Sequence, residues 1–228
     1  MTMQAIVKDT PLSDLSILIP AAGSGERMGR GPKAFLELGG KPLVSWLAAK
    51  ARSVGSEVII AVPPGMLGRL PALCPGCRGI LGGTTRQETI ARLVEASTKP
   101  WLLVQDAARP FASTGLMRAV AAAARITGVA GAFLQPDVPV ARIEDDIVLE
   151  HFRSHQVGVF QAPQAFDRDI LKQVLAEADS KGWSEQSTLQ LVLRAGLPVR
   201  SVPGERTNIK LTTEEDWALA PSLKEWLA

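Results

Sequence analysis

Hydrophobic positions along this chain follow two alternating patterns. Short apolar runs rich in β-branched residues are typical of buried strands, and stretches with apolar residues every three or four positions are typical of helices. The predicted strands are Ser16–Ile19, Glu57–Val62, Gly79–Leu81, Trp101–Gln105, Gly131–Gln135 and Val199–Val202. Because strands and helices alternate, we expect an α/β fold with a Rossmann-like, mostly parallel sheet and helices on both of its faces.

Helical periodicity marks the stretches between these strands. We predict that these stretches are four helices, each with one buried apolar face. The buried faces include Leu47, Leu93, Val120 and Val174, one residue from each helix. Two helix starts also carry the spacing of a capping box, in which a threonine is followed three residues later by an acidic residue. These pairs are Thr85 with Glu88 and Thr212 with Glu215.

The segment from Pro136 to Phe160 interrupts the alternation. It contains acidic residues, both histidines of the chain and no clean period. We expect it to leave the sheet as an extended arm at about residues 136–160. No stretch elsewhere has the composition of a linker, so the sequence predicts a single domain over residues 1–228.

Composition narrows the class of protein. The chain has 228 residues, and its 25 basic and 23 acidic side chains give a net charge of +2. That balance argues against a dedicated nucleic-acid binder. No apolar run approaches the ~18 residues of a membrane span, and the first fifteen residues lack a signal-peptide pattern. Cys74 and Cys77 form one C-x-x-C pair, too few ligands for a zinc site. We therefore expect a cytoplasmic protein with neither nucleic-acid nor membrane partners.

A glycine-rich loop follows the first predicted strand, with the sequence PAAGSGERMG at positions 20–29. Small residues after a buried strand let backbone N–H groups contact phosphate oxygens. A dinucleotide-binding fingerprint needs glycine where Met28 stands, and a P-loop needs glycine where Arg30 stands. A nicotinamide-dependent oxidoreductase therefore remains only as an alternative. The loop instead places Arg27 and Lys33 on either side of a phosphate-sized turn.

Five blocks in this order resemble a known family. The first is IPAAGSGERMGRGPKAFLELGGKPL at 19–43, and the others are GGTTRQET at 82–89, DAARPF at 106–111, PQAF at 163–166 and NIKLT at 208–212. Together they resemble the cytidylyltransferase family of sugar and polyol phosphate nucleotidyltransferases, most closely the 2-C-methyl-D-erythritol 4-phosphate cytidylyltransferases. The resemblance implies transfer of CMP from CTP to that polyol phosphate, giving 4-diphosphocytidyl-2-C-methyl-D-erythritol and pyrophosphate for isoprenoid synthesis by the non-mevalonate pathway.

The resemblance also implies roles for individual residues. The catalytic cations would be Arg27, Lys33 and Lys210. The nucleotide-binding residues would be Ala21, Ala22, Gly23, Ser24, Gly25, Gly82, Gly83, Thr89 and Asp106. Asp106 would also bind Mg²⁺ or a similar divalent cation, although a salt bridge to Arg109 is an alternative for it. Arg109 and Arg153 would bind the acceptor, and Arg86 would be structural or phosphate-facing.

Physical chemistry supports the cations independently of the resemblance. In-line phosphoryl transfer adds negative charge to equatorial oxygens, which fixed cations stabilise. No general base stands out, and none is required, because a phosphate monoester is largely a dianion near pH 7.

The acceptor side departs from the family pattern. Val140 and Ala162 replace threonines, and Ser154 stands where an arginine is usual, with Arg153 next to it. A different acceptor, such as ribitol 5-phosphate, or nucleotide binding without turnover, therefore stays open. In the family the arm is exchanged between subunits, so we expect a homodimer.

Overall fold

The computed structural model describes residues 10–23 and 31–227. Its strands, in chain order, are β1 Leu12–Pro20, β2 Glu37–Leu38, β3 Lys41–Pro42, β4 Gly55–Val62, β5 Arg78–Leu81, β6 Trp101–Val104, β7 Val129–Leu134, β8 Val140–Glu144, β9 Ile147–Phe152, β10 Val159–Asp167 and β11 Arg200–Pro203. Its α-helices are α1 Leu43–Val54, α2 Leu70–Leu73, α3 Arg86–Ala96, α4 Thr114–Thr127, α5 Arg168–Ser180, α6 Thr188–Arg194 and α7 Glu214–Leu219. Short 3-10 helices lie at Lys33–Phe35, Pro64–Arg69, Ser154–Gln156 and Ala220–Leu227.

The main sheet has the strand order β11-β7-β10-β6-β1-β4-β5. Its strands pair in parallel except for β10, which runs antiparallel to both β6 and β7. Helices α1 and α4 cover one face, where Leu47 and Met117 are wholly buried. Helices α3, α5 and α6 cover the other face, where Leu93 and Val174 are buried. The predicted α/β fold, with a mostly parallel sheet covered on both faces, is confirmed.

Strand β10 is the element that the hydrophobic pattern failed to predict. It lies in the middle of the sheet, yet its sequence VFQAPQAFD contains two glutamines and a proline. Proline is tolerated in an inner strand only where the hydrogen-bond ladder is interrupted. Here the register with β7 shifts between Phe160 and Gln164, and Pro163, which follows a cis peptide bond, lies at this irregularity.

One predicted helix cap is confirmed and the other is wrong by one residue. The Oγ1 atom of Thr85 accepts a hydrogen bond from the backbone N–H of Glu88 at 3.0 Å, as predicted, but the Glu88 carboxylate accepts the N–H of Thr84 instead of that of Thr85, so the cap forms without the reciprocal half of the capping box. Helix α7 is capped by Thr213 and Asp216 instead of Thr212 and Glu215. Both pairs have the required spacing, but the Asp216 carboxylate accepts the backbone N–H groups of Thr212 and Thr213 together.

Strands β8 and β9 form a hairpin that is the predicted arm. They pair with each other only, and Asp145 and Asp146 adopt positive φ angles of 47° and 62° at the tip. Positive φ angles at two consecutive residues are characteristic of the tight turn that joins antiparallel strands. Every residue from Asp137 to His151 is exposed. In the described part of the chain, none of the helices combines the length and the apolar character needed to cross a membrane.

Candidate active site

The sheet topology brings several loops of the predicted site to one edge. Strands β1, β4, β5 and β6 are parallel, so their carboxyl ends lie together, and β10 starts at the same edge because it is antiparallel. The loop after β1 is held to β4 by a 2.8 Å hydrogen bond from the Ala21 N–H to the Ala61 carbonyl. Ligands of open α/β sheets bind at this edge.

Asp106 lies two residues beyond the end of β6, at the centre of a charged cluster. One carboxylate oxygen is 2.8 Å from the Arg86 guanidinium, and the other is 3.4 Å from the Lys210 ammonium. Burial alone would raise the pKa of Asp106, but the charges of Arg86, Lys210 and Arg109 outweigh it and lower the pKa. Asp106 is therefore an anion that orients two cations, and its salt-bridge partners are Arg86 and Lys210 rather than Arg109.

Arg109 connects three segments of the chain around Asp106. Its guanidinium donates to the carbonyls of Asn208 at 2.6 Å and Phe160 at 3.3 Å. Its backbone N–H donates to the Asp106 carbonyl at 3.0 Å. Burial lowers the pKa of the Arg109 guanidinium, although the Asp106 charge opposes that shift. Because arginine stays protonated in proteins, Arg109 adds a further positive charge here.

A cavity of about 210 Å³, which we call the Asp106 pocket, opens among these charged groups. Besides Arg86, Asp106, Arg109 and Lys210, its walls include Phe160 and Ala162. The remaining lining residues are uncharged and polar: Gln161, Gln164, Gln186, Ser187 and Gln190. The pocket therefore combines a cationic end with walls that can form hydrogen bonds, which suits a small phosphorylated and hydroxylated molecule.

A buried amide network fixes the walls of the Asp106 pocket. Asn208 is fully buried, and its side-chain amide donates to the Ala162 carbonyl at 2.6 Å. Gln161 donates to the Glu205 carbonyl and accepts the Glu205 N–H, at 3.0 Å and 3.1 Å. These contacts join β10 to the segment after β11, and that segment carries Lys210. Gln161 and Ser187 were not predicted as site residues, and Gln164 stood in the matched PQAF block without a role; the position of Gln161 and Gln164 in or next to that block was the available signal.

The loop after β5 makes close contact with the loop after β1. A Cβ atom at Gly82 would lie only 2.1 Å from the Cβ of Ala22, so any side chain at Gly82 would force the two loops apart. The Thr89 hydroxyl accepts the Gly83 N–H at 3.0 Å and donates to the Thr85 carbonyl at 2.8 Å. Ala22, Gly82, Gly83 and Thr89 are thus brought together, and Thr89 shapes the glycine loop in this structure.

Glu88 reinforces the same loop from the first turn of α3. Its carboxylate accepts both the backbone N–H and the hydroxyl of Thr84, and it pairs with Arg92 at 2.5 Å. These hydrogen bonds lower the pKa of Glu88 to about 2. Glu88 therefore stays ionised at neutral pH and holds the turn that precedes α3.

The structure places the other predicted residues as follows. Ala21 is buried beside β4, and Gly23 is exposed at the edge of the loop. Ser24, Gly25 and Arg27 lie outside the described residues. Lys33 begins a short 3-10 helix, and its ammonium donates to the Thr212 carbonyl at 3.2 Å, next to the segment that carries Lys210.

Arg153 is exposed and precedes the short 3-10 helix Ser154–Gln156 at the base of the arm. It does not line the Asp106 pocket within the described residues. Ala162 does line the pocket, whereas Val140 lies on the exposed arm. The acceptor-side departures from the family pattern therefore divide between the pocket and the arm.

The acidic groups of the site suit a metal ion that is bound mainly by a phosphate ligand. Within residues 10–23 and 31–227, no three His, Cys, Asp or Glu side chains come together to form a metal cage. Asp106 is the acidic residue among those that line the pocket. Magnesium bound to substrate phosphates needs only one or two protein carboxylates, so Asp106 fits that role.

A Rossmann-like sheet with a glycine loop and a cation cluster around one carboxylate at its ligand-binding edge is the arrangement expected of a nucleotidyltransferase. Comparisons with known proteins give the family. The profile of the IspD family, 2-C-methyl-D-erythritol 4-phosphate cytidylyltransferase, matches residues 15–224. The enzyme of that name from Thermus thermophilus is 40% identical over 223 residues, 94% of this chain and 100% of the relative. The enzyme from Deinococcus radiodurans is 39% identical over 206 residues, 90% of this chain and 88% of the relative.

Solved structures agree with these relatives. The crystal structure of the Thermus thermophilus enzyme superimposes with a TM-score of 0.80 and 36% identity, covering 93% of this chain and 99% of the other. The 4-diphosphocytidyl-2C-methyl-D-erythritol synthase of Anaerococcus prevotii gives a TM-score of 0.84 and 25% identity, covering 93% and 96%. The chain belongs to the 2-C-methyl-D-erythritol 4-phosphate cytidylyltransferase family.

Proposed function

We propose that this protein transfers CMP from CTP to 2-C-methyl-D-erythritol 4-phosphate and releases pyrophosphate. The observation that carries the proposal is the Asp106 pocket, in which Arg86, Arg109 and Lys210 surround one carboxylate beside the glycine loop. Membership of the family supports the choice of nucleotide and acceptor. The cationic end of the pocket supports binding of a phosphorylated acceptor close to the nucleotide.

The reaction requires positioning and charge stabilisation more than proton transfer. A phosphate oxygen of the acceptor attacks the α-phosphorus of CTP, a new P–O bond forms, and the bond to the β-phosphate breaks so that pyrophosphate leaves. The acceptor phosphate is already largely a dianion near pH 7, so orientation is what it needs. Lys210 stabilises the charge that develops on the α-phosphate, and Asp106 holds Lys210 and Arg86 in place.

A divalent cation such as Mg²⁺, bound together with CTP, would supply neutralisation of the triphosphate charge. Asp106 would contribute one oxygen to it, and the triphosphate and water would contribute the others. Arg27 and Lys33 would contact the triphosphate from the glycine-rich loop. Lys33→Ala should then lower turnover by about tenfold or more without unfolding the protein. Wild-type turnover in that variant, measured as pyrophosphate release, would remove Lys33 from the site.

We also propose that the enzyme is a single-domain cytoplasmic protein that works as a homodimer joined through the arm. Free thiols at Cys74 and Cys77 support a reducing compartment. The arm exposes Ile143, Ile147 and Val148, and an isolated two-stranded hairpin is marginally stable in water. A second subunit would cover this surface and would bring Arg153 to a pocket that it does not reach in its own chain.

Sedimentation equilibrium tests the dimer. The wild-type protein should sediment as a dimer, and Val148→Asp should shift it towards the monomer because a charge would be buried in the interface. The same substitution at Ile126, which is exposed on α4 away from the arm, is the matched control. A monomeric wild-type protein would contradict the proposal.

Incubation with each of the four nucleoside triphosphates, Mg²⁺ and 2-C-methyl-D-erythritol 4-phosphate tests the reaction. Pyrophosphate release with CTP, together with a product that contains both CMP and the acceptor, is the expected result. Release with another triphosphate in preference to CTP would contradict the nucleotide assignment. Reduction or oxidation of NAD(P) in place of pyrophosphate release would favour the oxidoreductase alternative.

A further inference from the structure

Gln164 lines the Asp106 pocket and carries a hydrogen-bond acceptor that is unpaired within the described residues. It lies on β10 and is 96% buried. Its side-chain NH₂ group donates to the Ser187 hydroxyl at 2.9 Å and to the Gln161 carbonyl at 3.4 Å. Its carbonyl oxygen, Oε1, is also buried, but no donor from residues 10–23 or 31–227 reaches it. Because Gln164 lines the pocket, a ligand or a water molecule bound there can supply the missing donor.

The side-chain amide of the neighbouring Gln161 lies in the same wall of the pocket, and all of its hydrogen-bonding groups are paired. Its NH₂ group donates to the carbonyls of Glu205 and Asn208, and its Oε1 accepts from the Glu205 N–H and the Asn208 amide. Gln161 therefore holds the wall together and has nothing left to offer a ligand. The Gln161 carbonyl favours this orientation of the Gln164 amide, because the reverse orientation would place the Gln164 oxygen 3.4 Å from another oxygen.

Ser187 adds a hydrogen-bond donor next to this acceptor. It is the residue before α6, a position at which serine usually accepts a helix N–H. In the described part of the chain its hydroxyl makes no such cap and instead accepts from Gln164. Its own proton is therefore available to donate into the pocket, which Ser187 also lines. Gln164 and Ser187 together offer one acceptor and one donor.

We propose that Gln164 Oε1 and Ser187 Oγ bind hydroxyl groups of the acceptor and select a polyol phosphate over a phosphate with a plain alkyl chain. The inference rests on the proposed function, because it assigns the acceptor to this pocket. The cations at the other end bind phosphate, which every phosphomonoester carries, so they cannot discriminate between chains. A buried acceptor left unpaired by an alkyl chain is costly, and this cost is what excludes the alkyl compound.

Calorimetric titration of two phosphate monoesters that share a four-carbon main chain, with α,β-methylene-CTP present, tests the proposal. Wild-type protein should bind 2-C-methyl-D-erythritol 4-phosphate more tightly than butyl phosphate, by about tenfold or more. Gln164→Met keeps the side-chain length but removes the acceptor. It should weaken binding of the polyol phosphate by about tenfold and change the affinity for butyl phosphate by less than about twofold. Ser187→Ala should act in the same direction with a smaller effect, and Ser187→Thr should restore binding.

Controls separate this selection from a structural effect. Gln173→Met makes the same change at an exposed position on α5 and should alter neither affinity. If Gln164→Met weakened both ligands equally, Gln164 would be structural and the proposal would be wrong. If Gln164→Met failed to fold, the Ser187→Ala and Ser187→Thr pair would test the proposal through the ratio of the affinities for the polyol phosphate and for butyl phosphate. Tight polyol phosphate binding without pyrophosphate release would overturn the proposed reaction and leave this inference standing.

Discussion

Each side of this site is held together by hydrogen bonds, and the number of residues that these bonds span along the chain differs greatly between the two sides. On the proposed nucleotide side, the side-chain hydrogen bonds within the loop at 82–89 join residues three to six positions apart, as between Gly83 and Thr89. On the proposed acceptor side, formed by the Asp106 pocket, Arg109 binds a carbonyl 99 residues away and Gln164 binds a hydroxyl 23 residues away. Short-range chemistry therefore shapes the nucleotide loop, whereas the acceptor pocket exists only once the sheet has assembled.

The largest effect is expected at Lys210, where the two sides meet. Lys210→Ala removes the cation that we propose for the α-phosphate and leaves Asp106 with one partner fewer. We expect kcat/KM to fall by about a hundredfold, mostly in kcat, since the contact is strongest in the transition state. Steady-state kinetics with both substrates varied checks this split. Lys172→Ala removes an exposed lysine paired with Glu95, and its kinetics should match the wild type.

Asn208 tests whether the acceptor side depends on its long-range network. Asn208→Ala leaves the buried Ala162 carbonyl without its donor and should cost about 2 kcal/mol in the free energy of unfolding. Thr85→Ala, which removes a short-range helix cap on the nucleotide side, should cost about 1 kcal/mol. Urea denaturation of both variants gives the comparison. An equal or larger loss in Thr85→Ala would show that the two sides do not differ in this way.

Gly82 tests the nucleotide side by itself. Gly82→Ala should push apart the loops that meet at Ala22 and raise the KM for CTP by about tenfold, with little change in the KM for the acceptor. Gly65→Ala is a matched control, because a Cβ there meets no atom of the described residues within 4 Å. A rise in both Michaelis constants would show that the two sides are coupled more strongly than the hydrogen bonds indicate.

The smallest effect is expected from the ionisation of Asp106. Its pKa is lower in the folded protein than the ordinary value near 3.8, so the ionised group stabilises the fold above that value. This contribution is lost as the pH falls from about 4 through the folded pKa. Urea denaturation of wild type and Asp106→Asn at neutral pH and near pH 3 isolates it, because the other carboxylates are common to both proteins. Equal acid sensitivity of the two proteins would contradict the lowered pKa.

The same difference in sequence distance explains which strands and site residues could be predicted from the sequence. Short runs of apolar residues in the sequence predicted β1, β4, β5, β6, β7 and β11, although β5 and β11, at the edges of the sheet, are only partly buried. The hydrophobic pattern did not predict strand β10, because its polar residues Gln161 and Gln164 and its Pro163 are buried by partners far along the chain. No local pattern reveals such partners. The family resemblance pointed to Asp106 and Lys210, but only the fold shows that Arg86, rather than Arg109, completes the salt bridges of Asp106.

The choice of acceptor is the central claim, and one assay tests it most directly. Initial rates of pyrophosphate release are measured with CTP and Mg²⁺ against 2-C-methyl-D-erythritol 4-phosphate and ribitol 5-phosphate, each alone. The account predicts release with the methylerythritol phosphate and little or none with the ribitol phosphate. Faster release with ribitol phosphate, or release with neither, would contradict the assignment of the Asp106 pocket to the methylerythritol acceptor.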